Sequence, residues 1–255
     1  MKLYSKIYGE KPQDLIIIHG LFGMSDNWNS IGKKFAEHFR VHLIDLRNHG
    51  KSPHDNEFNY EVMGGDILEY IDNYEIHPII LGHSLGGKVA MKISFTSPEK
   101  VKRLIVADIA PRRYSIDFHK NLLKQISRLD LTKFTNRNEV ENAVSLFVED
   151  IGTRLFLLKN LCRNDSKEFA WKFNIKVLLE KLINIQEASF VEGVCEIPTS
   201  FIRGANSDYI NREDQILINK HFSNVSISTI KNAGHWLHAE NPQMFYNKVI
   251  EFCLK

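Results

Sequence analysis

The 255-residue sequence predicts an α/β fold, a mostly parallel central sheet with helices on both faces and a helical cap insertion. Three observations carry this reading. Short apolar runs alternate with helix-length amphipathic stretches. Several of the runs stop at Gly or Asp, where a strand gives way to a loop. One interval, from Asp108 to Thr199, is too long for a single crossover between parallel strands and reads as several helices.

The elements follow in order. Leu15 to Ile18 is a buried strand stopped by His19-Gly20. Trp28 to Phe39 has helical spacing, and Val41 to Ile44 is the next strand. Tyr60 to Tyr74 forms a helix with Val62, Ile67 and Ile71 toward the sheet. Pro78 to Leu81 is a strand running into Gly82, followed by a helix over Leu85 to Ser97. Leu104 to Ala107 is a strand that ends at Asp108. After the insertion come a strand at Thr199 to Ile202, a helix over Glu213 to Phe222 and a last strand at Val225 to Ile230. Asn241-Pro242 starts the closing helix, Gln243 to Cys253. The division is a core of residues 1–114 and 191–255 around a helical cap of residues 115–190. Such a cap would lie over the carboxyl edge of the sheet, where open α/β sheets bind ligands.

Composition narrows the function classes. Apolar residues make up 43% and charged residues 25%, with a net charge of +2 and no long run of one sign. That balance gives no footprint for nucleic acid. No signal peptide and no membrane span are expected, because no apolar run approaches the length either needs. Cys162, Cys195 and Cys253 are odd in number and lack metal-ligand spacing, so free thiols in a cytoplasmic protein are expected.

The chemistry concentrates in a few loops. Gly82-His83-Ser84-Leu85-Gly86 fits Gly-x-Ser-x-Gly between a strand and a helix, the context in which the motif exposes a serine nucleophile on a sharp turn. A serine hydroxyl needs a base, and His235, in Gly234-His235-Trp236 after the last strand, stands where such a base belongs. The acid has two candidates. Asp108 ends the strand after the nucleophile's own strand–helix unit. Asp208 lies in Gly204-Ala205-Asn206-Ser207-Asp208, one residue beyond the usual Gly-x-x-Asp position, which Ser207 occupies. Position favours Asp108; Asp208 stays open as the alternative, with Ser207 as a fourth member of the network. The backbone amides of Leu21 and Leu85 are the expected oxyanion donors. The loop Asp45 to Ser52 is expected to be held by internal hydrogen bonds. His235 and His238 lie three apart without a third ligand, so no metal and no cofactor are expected.

With those loops in view, the chain resembles the YbfF-type bacterial esterases of the α/β-hydrolase superfamily, relatives of the abhydrolase domain-containing 11 proteins. The likeness runs through His19-Gly20-Leu21-Phe22-Gly23, Arg47-Asn48-His49-Gly50-Lys51-Ser52-Pro53, the serine elbow, Asp108-Ile109-Ala110-Pro111, Trp171-Lys172-Phe173-Asn174 and Gly234-His235-Trp236. It implies a catalytic set of Ser84, Asp108 and His235, with Ser207 nearby. It departs at Asp208, where the bacterial relatives carry proline. The implied activity is hydrolysis of small esters or acyl-CoA thioesters. From their apolar, aromatic character, Phe22 near the elbow and Trp171 and Phe173 in the cap are expected to face the acyl chain. Arg112 and Arg113 fit either a solvated cap hinge or a contact with coenzyme A phosphates. The rival readings are carbon–carbon bond hydrolysis or cofactor-free perhydrolysis on the same triad and, more remotely, a non-catalytic binding protein.

Overall fold

A computed structural model describes residues 1–188 and 191–254. Among these, seven strands form one sheet: β1 (Ser5–Tyr8), β2 (Asp14–Ile18), β3 (Arg40–Ile44), β4 (Ile79–His83), β5 (Arg103–Ala107), β8 (Thr199–Gly204) and β9 (Val225–Ile230), in spatial order β1-β3-β2-β4-β5-β8-β9. Every pairing is parallel except that of β1 with β3. The inner strands β2 and β4 are buried at every position because helices cover both faces, which is why they read as unbroken apolar runs. Ser5–Tyr8 is too polar to announce a strand, and only its pairing with β3 makes it one.

Helices α1 (Asn29–Phe35) and α10 (Pro242–Cys253) cover one face, where Trp28, Phe35, Phe245 and Val249 are buried. On the other face lie α2 (Tyr60–Tyr74), α3 (Leu85–Thr96) and α8 (Arg212–His221), burying Ile67, Val89, Phe201 and Ile218. Each fully buried aromatic or aliphatic side chain contributes roughly 1.5–3 kcal/mol. The α2 boundaries are those the sequence predicts, because the Asn59 side chain accepts the Val62 N–H at 2.9 Å and caps the helix. The first helix is shorter than its apolar spacing suggests. It opens as a 3₁₀ turn at Ser25–Trp28 and ends at Phe35, four residues before Phe39.

Between β5 and β8 lie α4 (Asp117–Ser127), α5 (Arg137–Ser145), α6 (Ile151–Leu158) and α7 (Ile175–Lys181). A two-stranded antiparallel ribbon, β6 (Leu161–Arg163) with β7 (Phe169–Trp171), interrupts them. The ribbon is absent from the sequence expectation of helices alone. A tight turn makes it, with Lys167 at φ 63° and its N–H bonded to the Asn164 carbonyl at 2.9 Å. The four-residue α9 (Leu237–Glu240) precedes α10. No helix among the described residues is long and apolar enough to cross a membrane.

Candidate active site

Ser84 sits on the turn from β4 into α3 with φ 52° and ψ −118°, a backbone state that side chains seldom adopt. Such strain persists only where the surroundings hold it. Here the Ser84 N–H donates to the Ala107 carbonyl at 3.0 Å, tying the turn to β5. Glycine is required on both sides. A Cβ at Gly82 would run into the Gly86 carbonyl, and one at Gly86 into the Ile18 carbonyl. Strand and helix therefore close up, and Ser84 alone of its neighbours stays partly exposed.

The ring of His235 faces Asp108. Its Nδ1 lies 2.8 Å from Asp108 Oδ2. Asp108 is fully buried at φ 52° and also accepts the Gly204 N–H at 3.0 Å and the Ser207 hydroxyl. Strand order explains this meeting. Because β5 and β8 are neighbours with Ala107 opposite Ile202, the residue after β5 falls beside the loop after β8. Asp208 is exposed, so the extra residue in its turn carries it outward while Ser207, buried, bonds the carboxylate. An Nδ1–H given to Asp108 leaves Nε2 of His235 as the accepting nitrogen. Two further contacts hold the ring and its loop. Tyr209 stacks on His235 at 3.8 Å and 17°, and His83 Nε2–H donates to the His235 carbonyl at 2.8 Å.

The loop after β2 is braced from behind. Phe22 has φ 62°, its N–H donates to His49 Nε2 at 3.2 Å, and its carbonyl accepts from Asn160 Nδ2 at 2.7 Å. His49 in turn donates from Nδ1 to the Arg47 carbonyl at 2.9 Å, while Arg47 pairs with Asp66 at 2.6 and 2.8 Å. His19 accepts the Leu46 N–H at 3.0 Å. Within the 45–52 loop the Asp45 carboxylate accepts the Lys51 N–H at 2.7 Å and the His49 carbonyl accepts the Ser52 N–H at 3.1 Å, internal bonds of the kind expected of it.

Burial pushes His19 down to about 4 and His49 to about 3, so both are neutral in the fold. Between those values and the ordinary 6.5 the unfolded chain binds more protons, so stability rises with pH. It is lost as pH falls from about 6.5 toward 4, by about 1.4 kcal/mol per histidine per pH unit. The denaturation midpoint should therefore drop steadily between pH 7 and pH 5, and less steeply in His49→Gln. An unchanged midpoint across that range would refute the buried neutral histidines.

A cavity of about 220 Å³ opens at Ser84, walled among others by Leu21, Phe22, His119, Phe156, Tyr209 and His235. A second, of about 60 Å³, meets it at Ser84 and is lined by Leu21, Leu85 and Lys88. Of the three expected pocket residues only Phe22 is on a wall. Phe173 packs behind it at 5.3 Å, and Trp171 stacks on Phe173 at 5.5 Å, one layer further back. The ribbon of β6 and β7 sets them there, since Trp171 ends β7 and Phe173 follows it. His119 and Tyr209, which line both cavities, carry no sequence signal; one lies in α4 and the other beyond β8. His119 is held down to about 4 by its burial. Arg112 is paired with Asp214 at 2.6 Å and Arg113 with Glu187 at 3.2 Å. His238 stacks on Trp28 at 3.9 Å, and no group of three His, Cys, Asp or Glu among the described residues is placed to hold a metal ion.

A profile of the family described as alpha/beta hydrolase fold matches residues 15–242. The chain belongs to the α/β-hydrolase family. This α/β hydrolase is 37% identical over 242 residues to a putative esterase/lipase of Haemophilus influenzae, covering 94% of the chain and 83% of that relative. It is 34% identical to the sn-1-specific diacylglycerol lipase ABHD11 of Danio rerio, over 93% of the chain and 77% of the relative. It is 28% identical to the esterase YbfF of Escherichia coli, over 89% and 88%. Among solved structures, one described as a marine microorganism esterase superposes with a TM-score of 0.95 at 39% identity, covering 98% of this chain and 99% of that one. The hydrolase is thus of the YbfF and ABHD11 type that the loop motifs implied.

Proposed function

We propose that this hydrolase cleaves carboxylic esters, acyl-CoA thioesters included, through an acyl-serine intermediate, with Ser84 as nucleophile, His235 as base and Asp108 as the acid behind it. The observation that supports this most is the joint placement of Ser84 and His235 on one cavity, with His235 Nδ1 2.8 Å from a buried carboxylate. In the first step Ser84 Oγ bonds to the carbonyl carbon while its proton passes to His235 Nε2. The carbonyl oxygen becomes an oxyanion facing the Leu21 and Leu85 amides, and the Phe22 brace keeps the Leu21 amide aimed. Collapse breaks the bond to the alcohol or thiol, which leaves with the proton from His235. Water, deprotonated by the same nitrogen, then attacks the acyl-serine and releases the acid. Asp108 holds the useful tautomer of His235 and offsets the charge on its imidazolium.

In this reading residues 115–190 form a cap over a core of residues 1–114 and 191–255. The three cysteines, none in a disulfide, fit a reducing compartment such as the cytoplasm. No cofactor enters any step. A panel of p-nitrophenyl esters, acyl-CoAs and a β-diketone tests the reaction class. Turnover of esters is expected. Failure on every ester and thioester, with cleavage of the diketone, would overturn the reading in favour of carbon–carbon bond hydrolysis.

A further inference from the structure

The two cavities that meet at Ser84 differ in one decisive wall. The larger, about 220 Å³, includes His235, Trp236 and Phe156. The smaller, about 60 Å³, is bounded by Leu85, Lys88, Ile109, Ile116 and Ile185, and among the described residues His235 is not part of it. Catalytic geometry gives that difference a meaning. The tetrahedral carbon carries Ser84 Oγ, the oxyanion, the leaving oxygen or sulfur, and the acyl chain. The leaving atom must receive the proton of His235, so it lies on the His235 side. The oxyanion is taken up at Leu21 and Leu85. The acyl chain is left the direction away from His235, into the smaller cavity.

We propose that the smaller cavity is the acyl subsite and the larger one the subsite for the alcohol or thiol, making the enzyme selective for short acyl groups and tolerant of bulky leaving groups. This rests on the proposed roles of Ser84 and His235. The walls of the smaller cavity are fixed rather than adaptable. The Tyr60 hydroxyl donates to the Ile185 carbonyl at 2.7 Å. The Lys88 ammonium donates to the carbonyls of Arg112 at 2.6 Å and Glu187 at 3.2 Å, one on each chain segment joining the insertion to the core. Lys88 therefore cannot swing aside without releasing both segments. A volume of about 60 Å³ holds roughly four or five water-sized groups, which corresponds to acyl chains of about two to five carbons.

The test is kcat/KM for p-nitrophenyl esters of two to ten carbons, beside acetates of alcohols of rising size. The optimum should fall at about two to five carbons, with a loss of about tenfold or more by eight, since each misfitted methylene costs about that factor. Naphthyl acetate should remain a substrate. Ile185→Ala should lengthen the preferred chain by about two carbons. Should that variant fail to fold, Ile116→Trp, at the half-buried rim, should narrow the preference toward acetate. Phe156→Ala should alter the alcohol preference and leave the acyl optimum in place. Rates that climb through ten carbons, or an acyl optimum that follows Phe156 and ignores Ile116, would overturn the subsite assignment while leaving an active serine hydrolase. No turnover of any ester, together with no fluorophosphonate labelling of Ser84, would instead sink the proposed reaction and the subsites with it.

Discussion

Replacing Ser84 with alanine should lower kcat on p-nitrophenyl esters by about six orders of magnitude and abolish labelling by a fluorophosphonate probe. The expectation follows from what the turn does. A side chain held at φ 52° and ψ −118° between β4 and α3 is presented to the cavity with its backbone fixed by the Ala107 carbonyl. Alanine adopts the same backbone with no oxygen to form the acyl intermediate. The residual rate, about 10³–10⁴ over water, would come from the oxyanion donors and from binding alone. Near-native circular dichroism should accompany the loss, because the hydroxyl makes no structural bond on which the elbow depends. Ester turnover within tenfold of wild type would show that the nucleophile lies elsewhere.

Asp108→Asn should lower kcat by about 10²–10⁴-fold with a much smaller change in KM, on the scale of other triad acids. Three donors converge on this carboxylate: the Gly204 N–H, the Ser207 hydroxyl and His235 Nδ1. An asparagine in its place must turn its NH₂ toward one of them. Facing His235, that group demands an accepting Nδ1 and so puts the imidazole proton on Nε2, where it cannot take the Ser84 proton. Asp208→Asn should stay within a few-fold of wild type, since that side chain is exposed. Ser207→Ala should fall between the two, about tenfold, by removing one of the bonds that aim the carboxylate. If Asp208→Asn proves more damaging than Asp108→Asn, the acid has been misassigned.

The line between what was readable and what was not runs through individual residues. Leu15–Ile18, Tyr60–Tyr74 and Val225–Ile230 are legible because burial on both faces, an asparagine cap and a β-branched run are written locally. Ser5–Tyr8 is not legible, since its partner β3 lies over thirty residues downstream. The ribbon within the insertion likewise depends on one left-handed residue, Lys167, that no apolar period marks. Trp171 and Phe173 look like pocket residues from their aromatic character alone. Their place one layer behind Phe22 follows from where the ribbon ends.

By itself the sequence determined the α/β architecture, the serine elbow at Ser84 and the histidine loop at His235. Each of these is a local matter: apolar period, glycine spacing and position next to a strand end are all short-range properties. The tertiary structure decided which aspartate meets His235, because that depends on β5 lying beside β8. It also brought Tyr209 onto the imidazole and His119 into the cavity, and it divided the space around Ser84 into two unequal parts. Those outcomes depend on packing between segments as much as 127 residues apart, as for Asp108 and His235, where small shifts in register or turn length redirect a side chain.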